Sequence, residues 1–138
     1  MINEDSGTIE RVVLKTSFDS LRIAEEIIEK VSNEQKLPED SFGNVLIAVT
    51  EALNNAIIHG NKHDLEKSVT LEVYDTGDAI SFSIIDEGRG FDFNNLPDPT
   101  APENLLKDSG RGVFLMKNLA DEVEFQNTGS TVNLYFHK

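Results

Sequence analysis

Residues 8–15 carry Ile9, Val12, Val13 and Leu14 among polar neighbours, a β-rich stretch that predicts a strand. The period then changes. Leu21, Ala24, Ile27, Ile28 and Val31 recur at three- and four-residue steps behind Asp19 and Ser20, either of which can cap a helix over residues 20–32. Pro38, with Glu39 and Asp40 behind it, marks the start of a second helix. On that helix Phe42, Val45, Leu46, Val49, Leu53, Ala56 and Ile57 share one face, and it runs to His59 before Gly60 and Asn61 stop it.

From there the period is two. Val69, Leu71 and Val73 alternate with polar residues, as do Ile80, Phe82 and Ile84, and the turn Thr76-Gly77-Asp78 makes them a hairpin. Residues 91–112 break both patterns: Pro97, Pro99 and Pro102 fall in this stretch, with one short helical piece near 102–106. A loop of that length in a small domain is a lid, a binding loop or disordered chain. Helix returns over residues 113–119. Val123 to Phe125 and Val132, Leu134 and Phe136 form a last hairpin across Asn127-Thr128-Gly129. Hairpin-linked strands with interspersed helices predict an α+β domain: an α/β sandwich with a mixed, mostly antiparallel sheet covered on one face by helices.

The 138 residues suit a single domain over residues 1–138, with the polar residues 1–7 expected to be flexible and unlike a secretory signal. No cysteine is present, which excludes disulfides, thiolate metal sites and cysteine nucleophiles. No apolar run approaches the ~20 residues of a membrane span. A cytoplasmic protein with no membrane partner is expected. Asp and Glu number 25 against 12 Lys and Arg, a net charge of −13. Such a chain disfavours nucleic acid, whose phosphates need cations, and would attract a basic protein instead.

Three segments offer chemistry. Glu51 and Asn55 stand one helical turn apart, off the apolar stripe, with Asn44 near them. They are either a solvated polar face or a base beside a Mg²⁺ ligand, since Mg²⁺ takes one or two hard oxygens from protein and the rest from phosphate and water. Asp86 ends a strand and is followed by Gly88 and Gly90. That is a plain turn, or a corner where a carboxylate accepts a hydrogen bond from an exocyclic amine while glycine backbone comes close. Gly110-Arg111-Gly112 opens into a helix, where free N–H groups and the helix dipole favour an anion and Arg111 can reach a phosphate. Neither a dinucleotide fingerprint nor a P-loop is present.

In this order, Glu51-x-x-x-Asn55, Asp86-x-Gly88-x-Gly90, Gly110-x-Gly112 and Gly129-Ser130-Thr131 resemble the GHKL ATPase superfamily and its Bergerat fold. The runs from Glu51 to Asn61, Leu96 to Thr100 and Ser109 to Met116, with Asp121-Glu122-Val123, look like the bacterial anti-sigma factor serine/threonine kinases. The resemblance implies ATP as cofactor, with ADP as product, and Mg²⁺. Asn55 would hold the metal and Glu51 would act as general base. Asp86 would read the adenine amine with help from Thr131, in a pocket shaped by Gly88 and Gly90. Gly110, Arg111, Gly112 and Val113 would close on the phosphates, Arg111 also counting as catalytic, beneath a lid of about residues 91–112. His59 would stay structural, and Asn54 and Asn61 would touch phosphate through water.

The family further implies a homodimer, a STAS-domain anti-sigma factor antagonist as substrate, and a sigma factor or other regulatory protein as partner. Besides a non-enzymatic structural domain, two alternatives stand beside a kinase. One is a nucleotide-gated binding module without phosphotransfer, against which Glu51 speaks. The other is the catalytic domain of a histidine kinase, against which the lack of a His on the first helix speaks.

Overall fold

The computed structural model describes residues 7–88, 111–127 and 130–138, with backbone only at residue 111. The elements follow as β1 (Gly7–Lys15), α1 (Ser20–Glu34), α2 (Glu39–Asn55), a π turn (Ala56–Gly60), β2 (Ser68–Asp75), β3 (Ala79–Ile85), α3 (Arg111–Leu119), β4 (Glu122–Gln126) and β5 (Thr131–His137). The strands form one sheet in the order β1-β2-β3-β5-β4, and all its described ladders are antiparallel. Nothing parallel is present in them to make the sheet mixed. Gly7, expected to be flexible with the rest of 1–7, belongs to β1; residues 1–6 lie outside the described residues.

Alternation decides which sheet face is covered. Val69, Leu71, Val73, Ile80, Phe82, Ile84, Val132, Leu134 and Phe136 are buried and meet Ala24, Ile28 and Val31 of α1 and Val45, Val49 and Leu53 of α2 in one core. The Phe82 and Phe136 rings meet edge to face at 5.9 Å. On α2 the expected stripe shifts: Phe42 is 36% exposed, while Ala48 and Ala52 are buried. Small residues there let α2 approach its neighbours α1 and α3 closely. With the π turn, α2 makes one continuous helix, Glu39–Gly60, of 22 residues that by length and composition is enough to cross a bilayer, contrary to the sequence expectation. Packed on both sides, it is the core helix of this domain.

Neither α1 cap is a side-chain cap. Asp19 holds the N-cap position without a side-chain hydrogen bond, and the Ser20 hydroxyl donates instead to the Lys15 carbonyl at 2.7 Å. Beyond the C-cap Gln35, Lys36 adopts the left-handed conformation (φ 53°), with Leu37 N–H donating to Ser32 O and Lys36 N–H to Asn33 O. That is the Schellman arrangement, formed without its usual glycine.

Candidate nucleotide site

Asn55 is the last α-helical residue of α2, and the helix widens immediately after it. Asn61 N–H donates to the Ala56 carbonyl at 2.7 Å, an i to i−5 bond that closes the π turn. Such turns are rare and cluster at functional sites. This one places Asn55 at its start and Gly60 at its end, and each of the two faces a different segment of the chain.

Asn55 faces α3. A Cβ on Gly112 would lie 2.7 Å from Asn55 Nδ2 and 3.1 Å from its Oδ1, so only glycine leaves room for the carboxamide. Helix α3 begins at Arg111, so residues 111 and 112 belong to helix and not to the expected loop. The backbone N–H groups of residues 111–113, the first turn of α3, have no partner within the helix, and this is the end at which the glycine pair was expected to hold an anion. Val113 is 5% exposed and sits in the core, so its backbone N–H is what it can offer an anion. Glu51 is half-buried one turn before Asn55, on the same side of α2 by spacing.

Gly60 faces Asp86. A Cβ on Gly60 would collide with the Asp86 carboxyl group, and one on Gly88 would collide with the Gly60 carbonyl oxygen. Close approach, not a positive φ, is what demands glycine at both positions, since positive-φ glycines among the described residues are confined to Gly7 and Gly77. Asp86 Oδ1 accepts the Gly88 N–H at 2.7 Å, and Asp86 N–H donates to the Ser130 carbonyl at 2.9 Å. That second bond ties the turn to the start of β5, where buried Thr131 pairs with Ile85. Burial raises the Asp86 carboxyl above its ordinary value, against the lowering pull of the Gly88 N–H and the Lys67 charge.

Asn61 takes a place the sequence reading missed. It is 1% exposed, and its carboxamide is occupied by Glu87, Thr16 and Ser68, so it is not aimed at a phosphate. The one available signal was its position beside Gly60 in the quoted motif. Gly90, Gly110, Gly129 and the lid up to residue 110, including the helical piece near 102–106, lie outside the described residues. Nothing about the Arg111 side chain is described either. His59 is exposed at the helix end. Among the described residues, no group of three His, Cys, Asp or Glu is arranged to hold a metal unaided. A Mg²⁺ at Asn55 would therefore need phosphate and water as its other ligands, which is how Mg²⁺ usually binds beside a nucleotide.

Residues 14–136 match the family model for the histidine kinase-like ATPase domain. The chain belongs to that family. Within it, the chain is 34% identical to the serine-protein kinase RsbW of Bacillus subtilis over 67% of its own length and 62% of that protein's. It is 35% identical to the anti-sigma F factor of Anoxybacillus flavithermus, over 71% of its own length and 70% of the relative's. The match thus spans under two thirds of the Bacillus RsbW protein. A crystal structure of the RsbU and RsbW domains of a Mycobacterium tuberculosis protein superposes with a TM-score of 0.66 at 16% identity, covering 93% of this chain and 31% of that one. At that identity the likeness establishes the fold. The expected superfamily and its RsbW-like branch both hold.

Proposed function

We propose that this chain is an ATP- and Mg²⁺-dependent serine/threonine protein kinase of a bacterial partner-switching module. It would phosphorylate a STAS-domain anti-sigma factor antagonist and sequester a sigma factor. The observation that carries this reading is the pair of glycine contacts at the two ends of one π turn. Asn55 abuts Gly112 at the helix end suited to phosphate, and Asp86 abuts Gly60 and Gly88. A purine triphosphate with its base at Asp86 and its phosphates at α3 would span that distance. The names of the relatives, serine-protein kinase and anti-sigma F factor, support a serine acceptor on a protein and a sigma-factor partner; the STAS-domain antagonist is part of the proposal.

Bound Mg-ATP supplies the transferable phosphoryl group together with the charge that offsets it. The Asn55 carboxamide oxygen would hold the metal. The α3 amides at residues 111–113, with Arg111, would neutralise phosphate charge inside an otherwise acidic molecule. Asp86, Gly88, Gly90 and Thr131 would recognise adenine, and Gly110, Gly112 and Val113 would lie along the phosphates. Glu51 would orient the incoming Ser or Thr hydroxyl and take its proton as the bond to phosphorus forms. The acidic surface suits a basic docking partner. A cytoplasmic homodimer is part of the same proposal.

The test is phosphotransfer itself. Purified protein, Mg-ATP and a STAS-domain antagonist are incubated, and the antagonist is examined by mass spectrometry for phosphoserine or phosphothreonine. Tight nucleotide binding with an unmodified antagonist would convert the reading to a nucleotide-gated binding module. No binding at millimolar nucleotide would remove it altogether.

A further inference from the structure

Asn61 is among the most deeply buried polar residues of the domain, at 1% exposure, yet it lies between an exposed π-turn histidine and an exposed lysine. Its carboxamide joins three segments. Oδ1 accepts the Glu87 N–H at 2.8 Å, and Nδ2 donates to Thr16 Oγ1 at 3.0 Å and to the Ser68 carbonyl at 2.9 Å. The orientation of the amide is fixed by its partners. A backbone N–H can only donate and a backbone carbonyl can only accept, so the reversed amide would meet both with the wrong atom. The Thr16 hydroxyl, on a residue also 1% exposed, donates a hydrogen bond to the Lys67 carbonyl at 2.6 Å. The network is therefore satisfied, buried and directional.

The Glu87 N–H belongs to the peptide bond that joins Asp86 to Glu87, inside the turn from Asp86 to Gly88 that forms the acidic corner. The same Asn61 closes the π turn through its own N–H to Ala56. Lys62 and His63 follow it with φ of 52° and 58°, two successive left-handed non-glycine residues. Strained backbone of that kind persists where surrounding contacts over-determine it. Here it turns the chain away from the π turn while leaving Asn61 inside.

We propose that Asn61 is a positioning residue for the nucleotide site: it anchors the Asp86-Glu87-Gly88 turn to the end of β1 and the start of β2, and thereby aims the Asp86 carboxyl at the base. The inference rests on the adenine-binding reading of that corner. Asn61 touches no ligand itself. Its effect is on the discrimination that Asp86 exerts, not on phosphate affinity, because the α3 amides and Asn55 lie at the other end of the turn.

Two measurements on Asn61→Ala and the milder Thr16→Val test it. The first is amide hydrogen exchange without nucleotide. Exchange at Glu87 should accelerate about tenfold or more in Asn61→Ala, by a smaller factor in Thr16→Val, with the β2–β3 ladder unchanged. The second is affinity for ATP against ITP, whose base lacks the exocyclic amine. The wild-type preference for ATP should collapse toward one in Asn61→Ala and shrink in Thr16→Val, while ITP affinity holds. Unchanged Glu87 exchange overturns the proposal, as does equal weakening of ATP and ITP with the preference intact. Should Asn61→Ala not fold, Thr16→Val decides both measurements alone. A wild-type chain that binds neither nucleotide defeats the pocket reading, and the exchange result still decides whether Asn61 holds the turn.

Discussion

The Asn55 carboxamide occupies the space that a side chain on Gly112 would need, with Nδ2 2.7 Å and Oδ1 3.1 Å from the position of its Cβ. A residue of the core helix and a residue near the start of α3 are thus mutually exclusive in volume. Gly112→Ala would push aside the far end of a flexible side chain and not a backbone segment, and alanine also favours helix by up to about 1 kcal/mol. Thermal stability should therefore stay close to wild type. Mg-ATP affinity should fall by about tenfold or more, the equivalent of ~1.4 kcal/mol, because Asn55 loses its placement. Calorimetric titration beside a melting curve separates the two, and a variant that binds as wild type would show that Asn55 placement is irrelevant to binding.

Asp86 carries a stability cost that its removal should reveal. Burial raises its carboxyl above the ordinary 3.8, so between that value and the raised one the native chain holds more protons than the unfolded chain. Stability from this group is therefore full below 3.8 and is lost as pH rises through the folded value. Asp86→Asn keeps an oxygen for the Gly88 N–H and removes the ionisation. Without nucleotide, the variant should match wild type in acid and be at least as stable near neutrality. It should also lack the Mg-dependent rise in Tm with ATP expected of wild type, which at ~100 times Kd corresponds to ~2.7 kcal/mol. A variant less stable than wild type at neutral pH would contradict the burial argument.

Periodicity made the framework legible. The two-residue alternation of Val69, Leu71 and Val73 and of Ile80, Phe82 and Ile84 marks buried sheet residues, and Gly77 between them has the positive φ, 100°, that its turn requires. Glu51 and Asn55 were legible for the same reason, since a four-residue step on a helix is a statement about position. The π turn was not. Ala56-Ile57-Ile58-His59-Gly60 reads as ordinary helix, and the extra residue in its turn comes from contacts that Gly60 and Asn61 make with Asp86 and Glu87, distant in sequence. Asn61 was misread because polarity patterns report solvent exposure, whereas its burial depends on partners contributed by three other segments. Lys36 gave no signal either, because its left-handed conformation lacks the glycine that would announce it.

Glu51 should separate binding from turnover. It stands half-buried one turn from Asn55, and its proposed work is on the hydroxyl of the protein substrate. Glu51→Ala should leave nucleotide affinity unchanged and lower phosphotransfer by about 10²- to 10⁴-fold, the usual contribution of a positioned base. Fluorescent-nucleotide titration and a labelled-phosphate assay on the same preparation provide the comparison. Parallel loss of both would make Glu51 a structural residue of α2.

Lys36 offers a gain in stability remote from the site. A non-glycine residue in the left-handed region costs roughly 1–2 kcal/mol, partly offset by the lower unfolded-state entropy of lysine. Its φ of 53° closes the Schellman bonds from Lys36 and Leu37 to Asn33 and Ser32, and its side chain is exposed. Lys36→Gly should stabilise the domain by up to about 1 kcal/mol, a few degrees in Tm, with nucleotide affinity unaltered. A fall in Tm would mean that the lysine side chain contributes more than its backbone costs.

Alanine at Gly60 and at Gly88 should have different consequences although the two glycines touch. At Gly88 the new Cβ meets the Gly60 carbonyl, a backbone group held in the π turn that cannot swing away. Overpacking against backbone costs about 1–3 kcal/mol, so Gly88→Ala should lower the Tm of the nucleotide-free chain. At Gly60 the new Cβ meets the Asp86 carboxyl, whose side chain can rotate out of reach. Gly60→Ala should therefore cost less stability and more function: the ATP preference over ITP should shrink because the acidic corner has been displaced. Melting curves and paired nucleotide titrations on both variants check this. Equal destabilisation with adenine discrimination retained in Gly60→Ala would mean that the Asp86 carboxyl does not act from the position it holds against Gly60.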